Sequence, residues 1–128
     1  MQAPAWELVT ADLDGELVGF AYGFALPATT AWWRELMTKV PIGFTDEDGH
    51  RTLAISQMIV RAPWRRQHVG RRLHDTLLSD RSEKRATLLV EPDNWPAQAA
   101  YAAWGWHKAA ELRPGWTGAP LYDVLVLD

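Results

Sequence analysis

Segment 56–72 contains the residues of this chain best suited to chemistry, because an apolar run passes there into a basic turn and then into a helical pattern. Its last twelve residues, 61–72, include five arginines and no acidic residue. Where a strand feeds a helix through such a turn, several main-chain N–H groups and the positive end of the helix dipole point at one small volume. The side chains that we expect around this volume are those of Arg65, Arg66, Arg71 and Arg72. The segment therefore predicts a binding site for a polyphosphate.

The formal net charge of −3 conceals an uneven distribution of charge along the chain. Of the 13 basic residues, five lie in 61–72, which leaves eight basic residues in the remainder against all 16 acidic ones. A concentrated positive patch on an acidic body suits a small anionic ligand, whereas the extended backbone of a nucleic acid would be repelled by the rest of the surface. We therefore expect no nucleic-acid partner.

The composition also excludes several classes of site. The 128-residue chain has no cysteine, so a disulfide, a thiolate nucleophile and a thiolate metal site are ruled out. His68 and His74 lie six residues apart, which is not the i, i+4 spacing that places two ligands on one helical face, so no metal is expected. No apolar run reaches the roughly 18 residues of a membrane span, and residues 1–4 lack the pattern of a signal peptide. We expect a cytoplasmic protein with no membrane partner.

Apolar runs and turn residues predict the order β-β-(insertion)-β-α-β-α-β-β within one domain spanning 1–128. Asp14-Gly15 between the first two runs is a hairpin signal. Helical spacing indicates one helix from about Gly70 and a second that Asn94 caps and Gly105 ends. The predicted strands are 6–9, 17–26, 52–60, 87–90, 106–112 and 121–127. This order is typical of an α/β (α+β) fold in which helices pack on a mixed sheet.

Residues 28–51 interrupt the strand pattern and are predicted to form an insertion. A short helix is predicted within it at 31–40, with Trp32 and Trp33 on its apolar face. An acidic polar loop follows at 43–50.

The basic turn resembles the phosphate-binding motif of the GNAT superfamily of acyl-CoA N-acyltransferases. In that motif Arg or Gln is followed, after two residues, by Gly-x-Gly or Gly-x-Ala. The matching segment is 65–70, Arg-Arg-Gln-His-Val-Gly, in which Gly70 stands at the second glycine and His68 replaces the first. Histidine adopts unusual backbone angles more readily than most residues, so the replacement is compatible with a tight turn.

The later helix resembles a second motif of the same family, Asn-x-x-Ala-x-x-x-Tyr-x-x-x-Gly-aromatic. The matching residues are Asn94, Ala97, Tyr101, Gly105 and Trp106. Both motifs follow a predicted strand and occur in the family's order, so the resemblance covers most of the chain. This sequence departs from the family pattern at its start. Family members usually begin with a strand and two helices, whereas the first strand predicted here matches the family's second strand. Two explanations stay open: that such a segment is missing from this sequence, or that the insertion at 28–51 replaces it.

The resemblance implies a GNAT-like sheet, mixed but mostly antiparallel, with a splayed central strand pair. It also implies acetyl-CoA as co-substrate and an amine as acceptor. Main-chain N–H groups of 67–71 would hold the pyrophosphate, and the main chain of 58–60 would pair with the pantetheine arm. The residues implied in cofactor binding are Met58, Ile59, Val60, Arg65, Arg66, Gln67, His68, Val69, Gly70, Arg71 and Asn94.

For catalysis, the resemblance implies Tyr101 as the acid that protonates the departing thiolate, and a main-chain N–H near Ile59 as the donor to the oxyanion. Because the chain has no cysteine, acyl transfer is expected to be direct, within a ternary complex. The family often places a carboxylate base where this chain has Gln57. Glu91, at the end of the next strand, is therefore the first candidate for the base, and His50 and the acidic cluster 46–48 come next.

Several alternatives remain open at this stage. Trp32 and Trp33 either line the acceptor pocket, anchor the insertion on the sheet, or cover a contact in a homodimer. The second functional hypothesis is a non-catalytic acyl-CoA-binding module, which Gln57 and the atypical start of the chain favour. The sequence does not identify the amine acceptor.

Overall fold

The computed structural model describes residues 5–79 and 81–128. Within these residues the strands are β1 (Trp6–Leu13), β2 (Glu16–Ala25), β3 (Thr52–Val60), β4 (Arg85–Val90), β5 (His107–Leu112) and β6 (Tyr122–Leu127), and the helices are α1 (Val69–Ser79) and α2 (Trp95–Ala103). The strands form one sheet in the order β1-β2-β3-β4-β6-β5, in which β3 and β4 are parallel and the other neighbours are antiparallel. The predicted fold class and order of elements are confirmed. In the described part of the chain, no helix is both long and apolar enough to cross a membrane.

Asp14 and Gly15 form the two-residue loop between β1 and β2. Their φ angles are 51° and 81°, and Leu13 pairs directly with Glu16. Two successive left-handed residues give the turn whose twist matches that of the flanking strands. The hairpin predicted from Asp14-Gly15 is confirmed.

Each face of the sheet buries its own apolar cluster. On one face, Leu73 and Leu77 of α1 are almost completely buried against the strands. The buried indole N–H of Trp106 donates there to Nε2 of His74 at 2.9 Å, which fixes α1 relative to the start of β5. The opposite face buries Leu26 and Trp33 with residues of β3, β5 and β6. The insertion therefore acts as the cover of this second face.

The helix predicted at 31–40 is wrong. Residues 32–35 form a turn, and Leu36 makes an isolated β-bridge with Leu112 of β5. The N–H of Met37 donates to the carbonyl oxygen of Glu111 at 2.8 Å, so the main chain of this segment bonds to β5 instead of to its own preceding turn. Tertiary pairing has overridden a weak local helix preference.

A buried ion pair fastens the insertion to the sheet. Oε2 of Glu47 accepts hydrogen bonds from the Arg85 guanidinium (3.0 Å), the Trp33 indole N–H (2.9 Å) and the Thr52 hydroxyl (2.9 Å). The side chains of Glu47 and Arg85 are 0% and 8% exposed. Arg85 also donates to the carbonyl oxygen of Phe44 and lies 4.7 Å from the centre of its ring. Because Thr52 and Arg85 are paired residues of β3 and β4, this cluster also fixes the point where those two strands meet.

Strands β3 and β4 are paired over only three residues each. The pairs run from Thr52↔Arg85 to Ala54↔Thr87, and beyond them the strands diverge. Ser56 is an extra residue in β3, because the register against β2 shifts there from Ile55 to Gln57. The divergence opens a gap at the carboxyl ends of both strands. The splayed central pair that the resemblance implied is confirmed.

Replacing Glu47 by alanine is expected to lower the free energy of unfolding by about 3–5 kcal/mol, because Arg85 would remain buried without its partner. Urea denaturation followed by circular dichroism measures this change. Asp46→Ala removes an exposed carboxylate from the same loop and should change the free energy by less than about 0.5 kcal/mol. Equal effects of the two substitutions would contradict a specific role for the buried pair.

Candidate active site

The loop between β3 and α1 has an unusual backbone. After the turn Ala62–Trp64, Arg66 and His68 have φ angles of 64° and 63°. This left-handed conformation costs an L-residue roughly 1–2 kcal/mol, which explains why the family motif has glycine where this chain has His68. A left-handed residue directly before right-handed helical residues gathers successive N–H groups into a concavity that binds anions.

The main-chain N–H groups that lead into α1 lack well-aligned partners within the protein. The N–H of Arg72 donates to the carbonyl oxygen of His68 at 3.1 Å. For the five preceding N–H groups, at 67–71, no protein acceptor in good hydrogen-bonding geometry is found among the residues that the structure describes. Three of these five residues, His68, Gly70 and Arg71, line a cavity of about 880 Å3, the basic cavity. The N–H groups of three cavity-lining residues and the positive end of a helix dipole therefore lie at one cavity.

Three of the four arginines predicted around this volume line the basic cavity: Arg65, Arg66 and Arg71. The prediction for Arg72 is wrong, because its side chain lines a separate groove of about 280 Å3 between α1 and the β1–β2 hairpin. Residue 72 lies one position further along the helix than 71, which turns its side chain about 100° around the axis. This rotation explains why Arg71 and Arg72 line different cavities.

The side chains of Arg65 and Arg71 are held by protein contacts. Nε of Arg65 donates to the carbonyl oxygen of Val60 at 2.9 Å. Arg71 pairs with Asp75, with 3.0 Å between Nε and Oδ2. Hydrogen bonds from His74 and then from Arg71 hold the pKa of Asp75 below its usual range, so this carboxylate stays charged and keeps Arg71 oriented. Both arginines are positioned before any ligand binds.

The main chain of β3 presents alternate residues to the gap. The N–H of Arg61 donates to a carbonyl oxygen of β2 at 2.8 Å, so by alternation Ile59 also faces β2, whereas Met58 and Val60 face the gap. Met58 and Val60 line the basic cavity. Ile59 does not, and its side chain is 45% exposed on the other face of the sheet. The structure thus places two of the three predicted strand residues at the cavity and turns Ile59 away from it.

The remaining predicted binding residues contribute in different ways. The amide of the Gln67 side chain donates to the carbonyl oxygen of Pro63 at 3.1 Å. The side chain of Val69 packs against the core. For both residues, only the main-chain N–H group is left to contact a ligand. Asn94 lines the basic cavity and caps α2, with Oδ1 accepting from the N–H of Ala97 at 3.4 Å.

Tyr101 projects from α2 into the gap. Its ring makes edge contacts with Trp104 and Trp106, with centroids 5.6 Å and 5.8 Å apart. Burial raises the pKa of Tyr101 to about 12. Tyr101 lines the basic cavity and also a neighbouring cavity of about 510 Å3, the central cavity. It therefore stands where the two cavities join.

The central cavity brings together residues that are distant in sequence. Gln57 of β3, Glu91 at the end of β4 and Tyr101 all line it. Glu91 is exposed, and its carbonyl oxygen accepts the N–H of Asn94 at 3.1 Å, which fixes the main chain at this position. His50 and residues 46–48 line neither this cavity nor the basic one. Among the sequence candidates for a base, only Glu91 faces the gap.

A third cavity of about 460 Å3, the aromatic cavity, adjoins the central one. The two share Ile55, Ser56, Leu89 and Tyr122 in their walls. The wall of the aromatic cavity also includes Trp32, Glu35 and Trp116, whereas Trp33 lies buried beside Glu47. Of the alternatives for the two tryptophans, Trp32 therefore lines a pocket and Trp33 anchors the insertion.

Sequence reasoning missed Glu35, Trp116 and Tyr122. The only signal available was an aromatic residue in the Pro- and Gly-containing loop 113–121. That signal predicts that Trp116 lies on the surface. It does not identify the cavity that Trp116 lines, because this depends on how the insertion packs against the loop. In the part of the chain that the structure describes, no group of three or more His, Asp or Glu residues is arranged to hold a metal ion.

Comparison with solved structures places this geometry in a known fold. Ard1 from Thermoplasma volcanium matches 89% of this chain at 20% identity and a TM-score of 0.66, and this chain covers only 64% of that protein. The ribosomal-protein-S18-alanine N-acetyltransferase from Escherichia coli matches 98% of this chain at 18% identity and a TM-score of 0.69, with 70% of that protein covered. Naa50 from Arabidopsis thaliana, in complex with the bisubstrate analogue CoA-Ac-MVNAL, matches 94% at 16% identity and a TM-score of 0.66, with 72% covered. At these identities the matches establish the fold.

The family of this protein follows from its sequence. No curated protein sequence matches the chain. The sequence profile described as "Acetyltransferase (GNAT) family" matches residues 2–106, which is most of the chain and includes both the basic turn and the helix with Tyr101. This chain belongs to the GNAT acetyltransferase family.

Proposed function

We propose that this protein transfers an acetyl group from acetyl-CoA to an amine by direct attack within a ternary complex. The observation that carries the proposal is the set of N–H groups at 67–71 without a well-aligned protein acceptor. Three of these residues, His68, Gly70 and Arg71, line a cavity that continues along β3 to Tyr101. Membership of the GNAT family supports the use of acetyl-CoA. The analogue in the related Naa50 fold joins CoA and a peptide in one molecule, which supports binding of both substrates at once.

The cofactor would lie along the basic cavity. Its pyrophosphate fits the N–H groups of 67–71, and Arg65, Arg66 and Arg71 supply positive charge around the phosphates. The amides of the pantetheine arm fit the main-chain groups of Met58 and the N–H of Val60, which face the gap, whereas the carbonyl oxygen of Val60 accepts from Arg65. This pairing would replace the ladder hydrogen bonds that β3 and β4 do not make.

The chemistry needs a neutral amine, a polarised carbonyl and a proton for the leaving sulfur. The amine nitrogen attacks the thioester carbon, the C–S bond breaks, and the thiolate takes the phenolic proton of Tyr101. The N–H of Met58, which faces the gap, is the nearest counterpart to the oxyanion donor expected close to Ile59. Glu91 would accept the proton that the amine loses. With no cysteine in the chain, no acyl-cysteine intermediate is involved.

Burial keeps the phenol of Tyr101 in its protonated form. Because the active form of an acid is protonated, a pKa of about 12 keeps the phenol active throughout the neutral and mildly alkaline range. The loss of activity at high pH that follows from deprotonating Tyr101 is therefore expected only near that value.

The activity is tested by mixing the purified protein with acetyl-CoA and a panel of amines and following free thiol. Calorimetric titration with CoA is run in parallel. Heat of binding with thiol release supports the proposal. Heat of binding without thiol release on any amine would favour a non-catalytic acyl-CoA-binding module, and no heat at millimolar CoA would overturn both.

The left-handed backbone at position 68 generates a prediction for cofactor affinity. His68→Gly is expected to bind CoA as tightly as the parent or more so, because glycine adopts φ near 63° without strain. His68→Val is expected to weaken binding about tenfold, since a β-branched residue resists this conformation. Calorimetry measures both dissociation constants, and circular dichroism checks the fold. Equal affinities for the two variants would show that the turn geometry is not needed.

Tyr101→Phe is expected to reduce kcat tenfold or more with little change in the KM for acetyl-CoA, because the ring remains and only the proton donor is lost. Steady-state thiol release gives both constants. Tyr22→Phe is the matched control, since Tyr22 is a half-buried tyrosine of β2 outside the cavities. Unchanged turnover in Tyr101→Phe would assign Tyr101 to packing alone.

Glu91→Gln is expected to lower kcat/KM about a hundredfold and to remove the decline in rate on the acidic side of the pH profile. The reason is that a base works only when ionised, and glutamine has no ionisation to lose. The comparison variant is Glu111→Gln, whose carboxylate pairs with Lys108 on β5, outside the cavities, and which should keep the acidic decline. A parent-like pH profile in Glu91→Gln would remove Glu91 from the mechanism.

A further inference from the structure

Glu35 is a carboxylate that the fold does not use. In the described residues no hydrogen bond or ion pair to its side chain is found, although its main-chain oxygen accepts the N–H of Arg113 at 3.3 Å. Its Oε1 lies 3.4 Å from the point where a Cβ on Gly115 would stand. The carboxylate therefore rests against the glycine of the β5–β6 loop, and both residues line the aromatic cavity. A side chain at position 115 would crowd this carboxylate.

Aromatic rings surround the same cavity. Trp32, Trp116 and Tyr122 contribute to its wall, and Trp116 is 61% exposed on its loop. The faces of indole and phenol rings attract cations, with tryptophan the strongest. A carboxylate beside such rings is suited to an ammonium group.

The charges along the two connected cavities favour a cation as well. The aromatic and central cavities are lined by three carboxylates, those of Glu35, Glu91 and Asp93. They are lined by one basic residue, Arg34. The basic loop, which would counter this excess, lines the cavity on the other side of Tyr101.

The position of Glu35 relative to Tyr101 indicates which nitrogen of the acceptor Glu35 would bind. Tyr101 lines the basic and central cavities but not the aromatic one. The attacking nitrogen must be neutral and must reach the thioester near Tyr101. A charge held at Glu35, one cavity away, therefore belongs to another group of the acceptor.

We infer that the aromatic cavity binds a second positive charge of the acceptor through Glu35, Trp32 and Trp116, so that the preferred acceptors are diamines or polyamines. This inference rests on the acetyl transfer proposed above. It assigns the substrate class by chemistry: one primary amine to react, and a second ammonium carried on a short aliphatic chain.

The test compares three acceptors of similar length: 1,5-diaminopentane, pentylamine and 6-aminohexanoate. The expected kcat/KM for the diamine is about tenfold above that for pentylamine, and the carboxylate-bearing acceptor is expected to be the poorest. The advantage of the diamine should shrink as salt is added, since the contact is partly exposed. Thiol release measures all three rates.

Glu35→Gln is expected to bring the ratio of diamine to monoamine close to one, and Trp116→Leu to reduce it. Arg34→Gln is expected to raise the ratio, because it removes the one opposing charge. Asp46→Asn, which removes a carboxylate from the exposed loop outside the cavities, should leave the ratio as it is in the parent. Both Glu35 and Trp116 are exposed, so loss of the fold does not confound these variants.

The outcomes separate this inference from the proposed activity. Thiol release with no preference for the diamine, or a preference for 6-aminohexanoate that Arg34→Gln abolishes, overturns the inference and leaves acetyl transfer standing. If no amine releases thiol, the proposed activity fails. Calorimetric titration of the two amines into CoA-saturated protein then decides the inference: tighter diamine binding that Glu35→Gln removes supports it, and equal binding overturns it.

Discussion

The divergence of β3 from β4 after three paired residues is the constraint on which the site depends. Main-chain N–H and carbonyl groups in a sheet are normally satisfied by the neighbouring strand, and leaving them unpaired away from water is costly. Here Met58 and Val60 face the gap instead of β4. The gap therefore leaves main-chain groups of β3 at positions where an amide-containing chain can pair with them.

The divergence is possible because the closed end of the strand pair is firmly held. Arg85 and Thr52 pair across β3 and β4, and Glu47 binds both from the insertion. A few residues further along, the extra residue Ser56 shifts the register of β3 against β2 and adds twist where the strands part. A buried ion pair contributes little net stability compared with an apolar substitute, but it demands a particular geometry. In this protein that geometry sets where the gap begins.

Sequence patterns predicted what local chemistry controls. Asp14-Gly15 specified a hairpin, and Asn94 and Gly105 bounded a helix, because capping and left-handed turns depend on a few adjacent residues. The segment 31–40 could not be predicted in this way, since its main chain bonds to β5, more than seventy residues later. The same limit applies to the site. The basic turn and the helix with Tyr101 could be recognised because each is a short sequence pattern. The neighbours of Glu35 could not, because they depend on how the insertion and the β5–β6 loop pack against each other.

The three cavities form one path along which the predominant charge changes sign. The basic cavity carries Arg65, Arg66 and Arg71, while carboxylates predominate in the two cavities beyond Tyr101. A polyphosphate would be attracted to the arginines of the basic cavity, and a cationic amine to the carboxylates beyond Tyr101. The charge pattern therefore favours binding of the two ligands on opposite sides of Tyr101. Tyr101 lies at the point where the sign changes. Burial there raises the pKa of its phenol to about 12, so Tyr101 stays neutral and adds no charge to either side.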